Sequence, residues 1–284
     1  MSETLDAPPE EVKTELAGLR ADLDDTVSAK LTDRNLLIAT WNLREFSSLT
    51  ERWNSKEGDS PRRDWRAVRC IAEIVSRFDV IAVQEVGGDL RALRTLLKVL
   101  GTNWSFLMTD ETKGAKGGGE RLAFLYDTRK VRLSGLACEL VIPPKQLGSE
   151  DPDVLKGQFA RTPYAVSFQS SGRTFILVTL HVIYGQPADR KPELYAIAQW
   201  LSDWAKKVNE WDHNLITLGD FNIDRKDLAL RRASSTKIAS FLGSDGSGNT
   251  SSALSATSSV VATTFSSPEE ETMAHWTRRR SFFI

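Results

Sequence analysis

Four short apolar runs, each rich in strand-forming residues and each ending on a polar side chain, constrain this chain most. They are LLIATWN (36–42), DVIAVQE (79–85), RTFILVTLH (173–181) and NLITLGDFN (214–222). Runs of this length bounded by turn-forming residues read as strands. WSFLMTD (104–110), ERLAFLYD (120–127) and TPYAVSF (162–168) read as further strands, and the glycines at 117–119 suit a turn between two of them. Between the runs, apolar residues recur at helical spacing. Trp65, Val68, Ile71, Ala72 and Val75 trace one helix, and Leu90, Leu93, Leu97 and Leu100 a second. Pro192 opens a third, carrying Leu194, Ile197, Ala198, Leu201, Ala205 and Val208. Hairpin-like strand pairs mixed with strand–helix–strand units predict an α/β (α+β) four-layer sandwich, with two mixed β-sheets flanked by helices.

The two ends differ in character from this middle. Val12, Leu16, Leu19, Leu23 and Val27 share one helical face, so residues 1–34 read as a helical appendage packed on the domain. The pattern is too short for a coiled coil. The domain proper is expected over 35–240. From Ser244 to Ser267, 13 of 24 residues are Ser or Thr, and the end is the basic TRRRSFFI. Residues 241–284 therefore read as a disordered or aberrant tail, with too little apolar surface to offset its ordering entropy.

Composition narrows the function. The formal net charge is −1, so there is no broad positive field for nucleic acid, and an anionic substrate must be held locally. Cys70 and Cys138 make no disulfide framework and no His/Cys cluster has zinc spacing. Cys70, inside a helical pattern, reads as a small buried hydrophobe. The acidic start MSETLDAPPEEVK lacks the features of a signal peptide, and no apolar run approaches the ~20 residues that span a bilayer. The expected location is cytoplasmic.

Asn42, Glu85, His181, Asp220 and Asn222 all sit at strand ends. Strand ends that converge on one rim build a site from residues far apart in sequence. Carboxylate and amide oxygens there suit a hard divalent ion, Mg²⁺ or Mn²⁺, which neutralises a phosphate. Taken singly, each of these residues is an ordinary turn, cap or packing residue. Their order and context are far more specific.

With TWNLR at 40–44, Gln84–Glu85, the strand-ending His181 and GDFN at 219–222, the chain resembles the endonuclease/exonuclease/phosphatase superfamily, in particular its deoxyribonuclease-I-like branch. The resemblance runs from about 35 to 228. It implies that Glu85 is the principal metal ligand, with Asn42 helping to hold metal or phosphate. It implies that His181 contacts the scissile phosphate or acts as general acid, and that Asp220 and Asn222 orient nucleophile and phosphate. Glu120 resembles the acid that hydrogen-bonds and charges that histidine. Arg161 resembles a phosphate clamp and Arg44 a groove-side nucleic-acid contact, against the plainer reading of both as solvated arginines. Arg62, Arg63, Arg66 and Arg69 read as a solvated helix face.

The pattern departs from the family at its end. Active members close with a further core strand bearing an Asp-His element, and no such pair is present. His213 precedes the Asp220 strand and His275 stands in MAHW. The C-terminal strands are therefore expected to be missing or altered. Two readings stay open: a divalent-metal-dependent phosphodiesterase acting on nucleic acid or another phosphodiester, and a catalytically impaired relative that only binds.

Overall fold

Nine strands and three helices are defined in the computed structural model, which describes residues 7–31, 35–112, 118–141, 159, 161–183, 196–197, 200–201, 203–204, 214–222 and, as backbone alone, 259–266. They divide between two units, each with its own sheet: Met1–Glu111, Gly119–Arg132 and Ser259–Ile284 form the first, and Thr112–Gly118 and Leu133–Ser258 the second. Both sheets are mixed, so the α/β class with two mixed sheets is as the sequence led us to expect.

In the first unit β1 (Asn35–Phe46) runs parallel to β2 (Val80–Val86), inside a sheet of order β3–β4–β2–β1–β9. β3 (Trp104–Met108) and β4 (Arg121–Asp127) are antiparallel to one another, and β4 is antiparallel to β2. The helices α2 (Trp65–Val75) and α3 (Arg91–Leu100) bring Val68, Ile71, Val75, Leu93 and Leu96 into one core with Leu37, Ala39, Trp41, Ile81 and Val83. The alternate residues Ile38, Val80, Ala82 and Phe124 are buried too, which accounts for strands that read as continuous apolar runs. Asp64 starts α2 as its N-cap, its carboxylate accepting the Ala67 N–H at 2.9 Å.

The appendage helix α1 (Glu10–Thr26) packs Val12 and Leu16 against Cys70 of α2. Burial pushes the Cys70 thiol up to about 12, as the reading of an inert core residue requires. The solvated arginine face expected on and before α2 is not found. Arg66 pairs with Glu15 of α1, Arg69 lies over the Trp53 ring, and Arg63 is turned onto backbone carbonyls. Of the four, Arg62 alone is exposed. The physical reason is long-range contact that spacing does not record: α1 for Arg66, the Trp53 ring for Arg69 and the end of β1 for Arg63.

In the second unit the order is β5–β6–β7–β8. β6 (Tyr164–Ser170) is antiparallel to β7 (Arg173–His181), and β7 is parallel to β8 (Leu215–Asp220). Leu140, Ala165, Ile176, Val178 and Leu180 form a core with Ile197 and Leu201, two described residues of the third expected helix. β5 (Arg132–Glu139) has no counterpart among the expected strands. Its sequence RLSGLACE is poor in strand formers, and it is recruited by pairing rather than by propensity.

The Ser/Thr-rich stretch also departs from expectation. Within it β9 (Ser259–Ser266) pairs parallel with β1, Asn35 against Ser259 through Asn42 against Ser266. SVVATTFS is dense in β-branched residues, and a ready edge on β1 supplies the partner that propensity alone lacks. The rest of 241–284, including His275, lies outside the described residues, as does His213. Among the described residues no helix is long and apolar enough to cross a membrane.

At the start of β2, Asp79 is fully buried and is paired with Lys30 at 3.2 Å and Lys130 at 3.2 Å. Lys30 also reaches Asp127 at 3.0 Å, and Arg129 holds the same carboxylate. Burial pushes the Asp127 carboxyl up, but the hydrogen bonds from Arg129 and Lys30 outweigh this and hold it below the usual carboxylate range. A folded pKa below the unfolded one stabilises the fold fully above the unfolded value, about 3.9, and the gain is lost progressively as pH falls from there through the lower folded value. Urea denaturation between pH 6 and pH 2.5 is expected to show stability declining below about pH 4. In Asp127→Asn that decline is shallower.

Candidate active site

The end of β1 and β2 is built by irregularity. Their register runs evenly from Ile38 against Val80 to Asn42 against Gln84, then resumes at Phe46 against Val86. β1 thus spends four residues where β2 spends two. On the other side, β2 pairs Val83 with Ala123 and then Val86 with Arg121, again with an extra residue. Glu85 falls inside both irregularities, with φ 62°, and Glu45 across from it has φ 50°. Bulges of this kind re-aim a side chain that a regular ladder would bury, and a left-handed non-glycine residue costs roughly 1–3 kcal/mol.

The half-buried Glu85 carboxylate is held at both oxygens. Oε1 accepts from Asn42 Nδ2 at 2.7 Å, and Oε2 accepts the Glu45 N–H at 2.9 Å. Asn42 Oδ1 in turn accepts the Arg44 N–H at 3.0 Å. Asn42, expected to hold metal or phosphate, here orients Glu85. Its neighbour Gln84 is buried, and its Nε2 donates to Thr40 Oγ1 at 3.0 Å. The two letters of the QE pair therefore divide the work, one anchoring inward and one presented outward.

Glu120, just ahead of β4, places a carboxylate oxygen within 4.8 Å of one from Glu85. Two carboxylates this close repel unless a proton or a cation lies between them. Hard oxygen donors of this kind fit Mg²⁺ or Mn²⁺. The sequence suggested Glu120 only as a partner for a histidine. Its closeness to Glu85 is visible only once β4 lies beside β2. Arg44 is exposed in the bulge.

In the second unit, His181 and Asp220 end adjacent parallel strands in register. His181 is buried and Asp220 half-buried. The preceding pair is Leu180 against Gly219, whose φ is 143°. A Cβ on Gly219 would stand 2.0 Å from the Leu180 carbonyl oxygen, so only glycine allows the strands this approach. Beyond the strand, the Asn222 N–H donates to Asp220 Oδ1 at 2.9 Å and Asn222 Nδ2 to the Val182 carbonyl at 2.6 Å. Asn222 has φ 47°, a conformation asparagine tolerates better than most residues. GDFN is thus a turn with a fixed shape: glycine for approach, aspartate as acceptor, asparagine as latch to β7. Arg161 precedes β6 and is half-buried rather than solvated.

The structure accordingly gathers Asn42, Glu85 and Glu120 in one unit, and His181, Asp220 and Asn222 in the other. Comparison with known proteins covers residues of both units. The profile of the Endonuclease/Exonuclease/phosphatase family matches residues 39–281, well past residue 228, where the motif resemblance stops. Among solved structures, a mannosyl-6-phosphatase from Bacteroides thetaiotaomicron is 21% identical, with a TM-score of 0.48 over 70% of this chain and 70% of that chain. The catalytic domain of human Nocturnin with bound sulfate is 16% identical, with a TM-score of 0.44 over 60% of this chain and 63% of that chain. D. rerio TDP2 complexed with single-strand DNA product is 15% identical, at 0.39 over 68% and 63%. No curated protein matches the chain in sequence.

Gly219→Ala adds the forbidden Cβ at a position that also favours glycine. It is expected to destabilise the protein by about 2–4 kcal/mol, read as a lowered urea midpoint.

Proposed function

We propose, from the premise that this chain belongs to the endonuclease/exonuclease/phosphatase family, that it is a divalent-metal-dependent phosphodiesterase whose substrate is nucleic acid. The family comprises hydrolases, both nucleases and phosphatases. The observation that carries the metal part is the Glu85 carboxylate, oriented by Asn42 and the Glu45 amide, with Glu120 beside it. The nucleic-acid part rests on the order of Glu120, Arg161 and His181, which resembles the deoxyribonuclease-I-like branch.

A bound Mg²⁺ or Mn²⁺ supplies charge neutralisation at the phosphate. Glu85 and Glu120 hold it, and Asn42 keeps Glu85 in place. His181, at the end of β7, donates a hydrogen bond to a phosphate oxygen or a proton to the leaving oxygen. Asp220, fixed by the Asn222 amide, accepts a proton from the attacking water. Asn222, Arg161 and Arg44 bind phosphate oxygens. The Arg161 guanidinium suits this role because its fork matches the geometry of a phosphate.

A second reading, binding without turnover, is motivated by the missing Asp-His element. Hydrolysis of plasmid DNA and of bis-p-nitrophenyl phosphate with Mg²⁺ or Mn²⁺ separates the two. Turnover in wild type is expected to fall about 10²–10⁴-fold in Glu85→Ala and in His181→Ala. Turnover that survives Glu85→Ala undamaged sinks the metal mechanism. A folded protein that takes up Mn²⁺ and turns nothing over establishes the binding reading.

A further inference from the structure

Arg63 stands outside the residues just assigned, one position before the N-cap of α2. Its Nη1 donates to the Glu45 carbonyl at 2.6 Å, and its Nη2 to the carbonyls of Arg44 at 2.6 Å and Leu43 at 3.0 Å. The guanidinium also lies 5.2 Å from the centre of the Phe46 ring. Residues 43–45 stand in β1 where β2 has Glu85 alone between the paired positions. These three residues have no paired position on β2, and the guanidinium supplies a donor to each of their carbonyls.

Arg63 is itself held firmly. Its own carbonyl accepts the Thr50 N–H at 2.8 Å. The next residue, Asp64, caps α2 and accepts the Ser55 N–H at 2.8 Å. Burial lowers the basicity of Arg63, against the opposing pull of the Glu45 and Glu85 carboxylates. The fold therefore bears the cost of a partly desolvated cation at this point. A planar fork reaches three successive carbonyls, which a lysine ammonium on its flexible stem does not do with the same geometry.

We propose that Arg63 is a positioning residue for the metal site. It clamps the 43–45 carbonyls, and so fixes the Glu45 amide and Asn42, the two groups that orient the Glu85 carboxylate toward a divalent cation. The inference deepens the reading of Glu85 as a metal ligand and rests on it.

The test compares full-length wild type with Arg63→Met, Arg63→Lys and, as a control of similar destabilisation, Val75→Ala in the α2 core. Two quantities are read: Mn²⁺ affinity by electron paramagnetic resonance, and amide hydrogen exchange at Glu45. Arg63→Met is expected to weaken Mn²⁺ binding about tenfold, as loss of a partner behind a metal ligand does, and to speed exchange at Glu45. Val75→Ala changes neither. Arg63→Lys falls between wild type and Arg63→Met in both, and it provides the same reading on folded protein where Arg63→Met does not fold. Mn²⁺ affinity equal in wild type and the Arg63 variants overturns the proposal alone, and so does an equal loss in Val75→Ala. Wild type that takes up no Mn²⁺ overturns the Glu85 reading and the proposal together.

Discussion

Asp79 sets the register on which the first unit depends. Its N–H donates to the Leu37 carbonyl at 2.7 Å, and its Oδ2 accepts the Leu37 N–H at 2.7 Å. A carboxylate with no exposure to water is costly unless paired, and Lys30 and Lys130 pair it. This clamp ties the start of β1 to the start of β2. A slip of one residue would turn every core side chain to the other face. It would also separate Asn42 from Glu85, which lie at the far end of the same ladder. Lys30 follows α1 in sequence, so the same cluster anchors the appendage helix to the sheet.

At that far end the two strands stop being regular, and the oriented Glu85 carboxylate stands there. Glu45 and Glu85 occupy left-handed conformations inside a double bulge, and an arginine takes up the carbonyls that the bulge leaves over. The second unit reaches a comparable result by other means. There Gly219 lets the β8 backbone press against Leu180, and the Asp220–Asn222 turn is latched to β7. Strain at both places is sustained by hydrogen bonds that over-determine it. Four of the residues resembling family motifs, Asn42, Glu85, Asp220 and Asn222, make these supporting contacts. Motif residues in this protein shape the local backbone of each unit.

Much of this was legible in the amino acids. Hydrophobic spacing located α1, α2 and α3 and every strand except β5 and β9, because burial of apolar faces imposes a period that sequence records. The order Asn42, Glu85, His181, Asp220, Asn222 indicated a family that the profile match then established over 39–281. Glycine at 219 was part of a recognised motif, although its reason, a carbonyl 2.0 Å from any Cβ, belongs to the neighbouring strand.

What tertiary structure alone decided concerns partners distant in the chain. β5 and β9 form because edges are available to them, and neither RLSGLACE nor a Ser/Thr-rich stretch carries a pattern that names such an edge. Arg63, Arg66 and Arg69 read as solvated because nothing in their spacing reports the β1 carbonyls, the α1 carboxylate and the Trp53 ring that meet them. Arg63 serves carbonyls some twenty residues earlier, and Glu120 meets Glu85 through a pairing of β2 with β4. Local sequence determines which elements form and which faces are apolar. Long-range pairing, which has no periodicity of its own, determines where those elements set their charged groups.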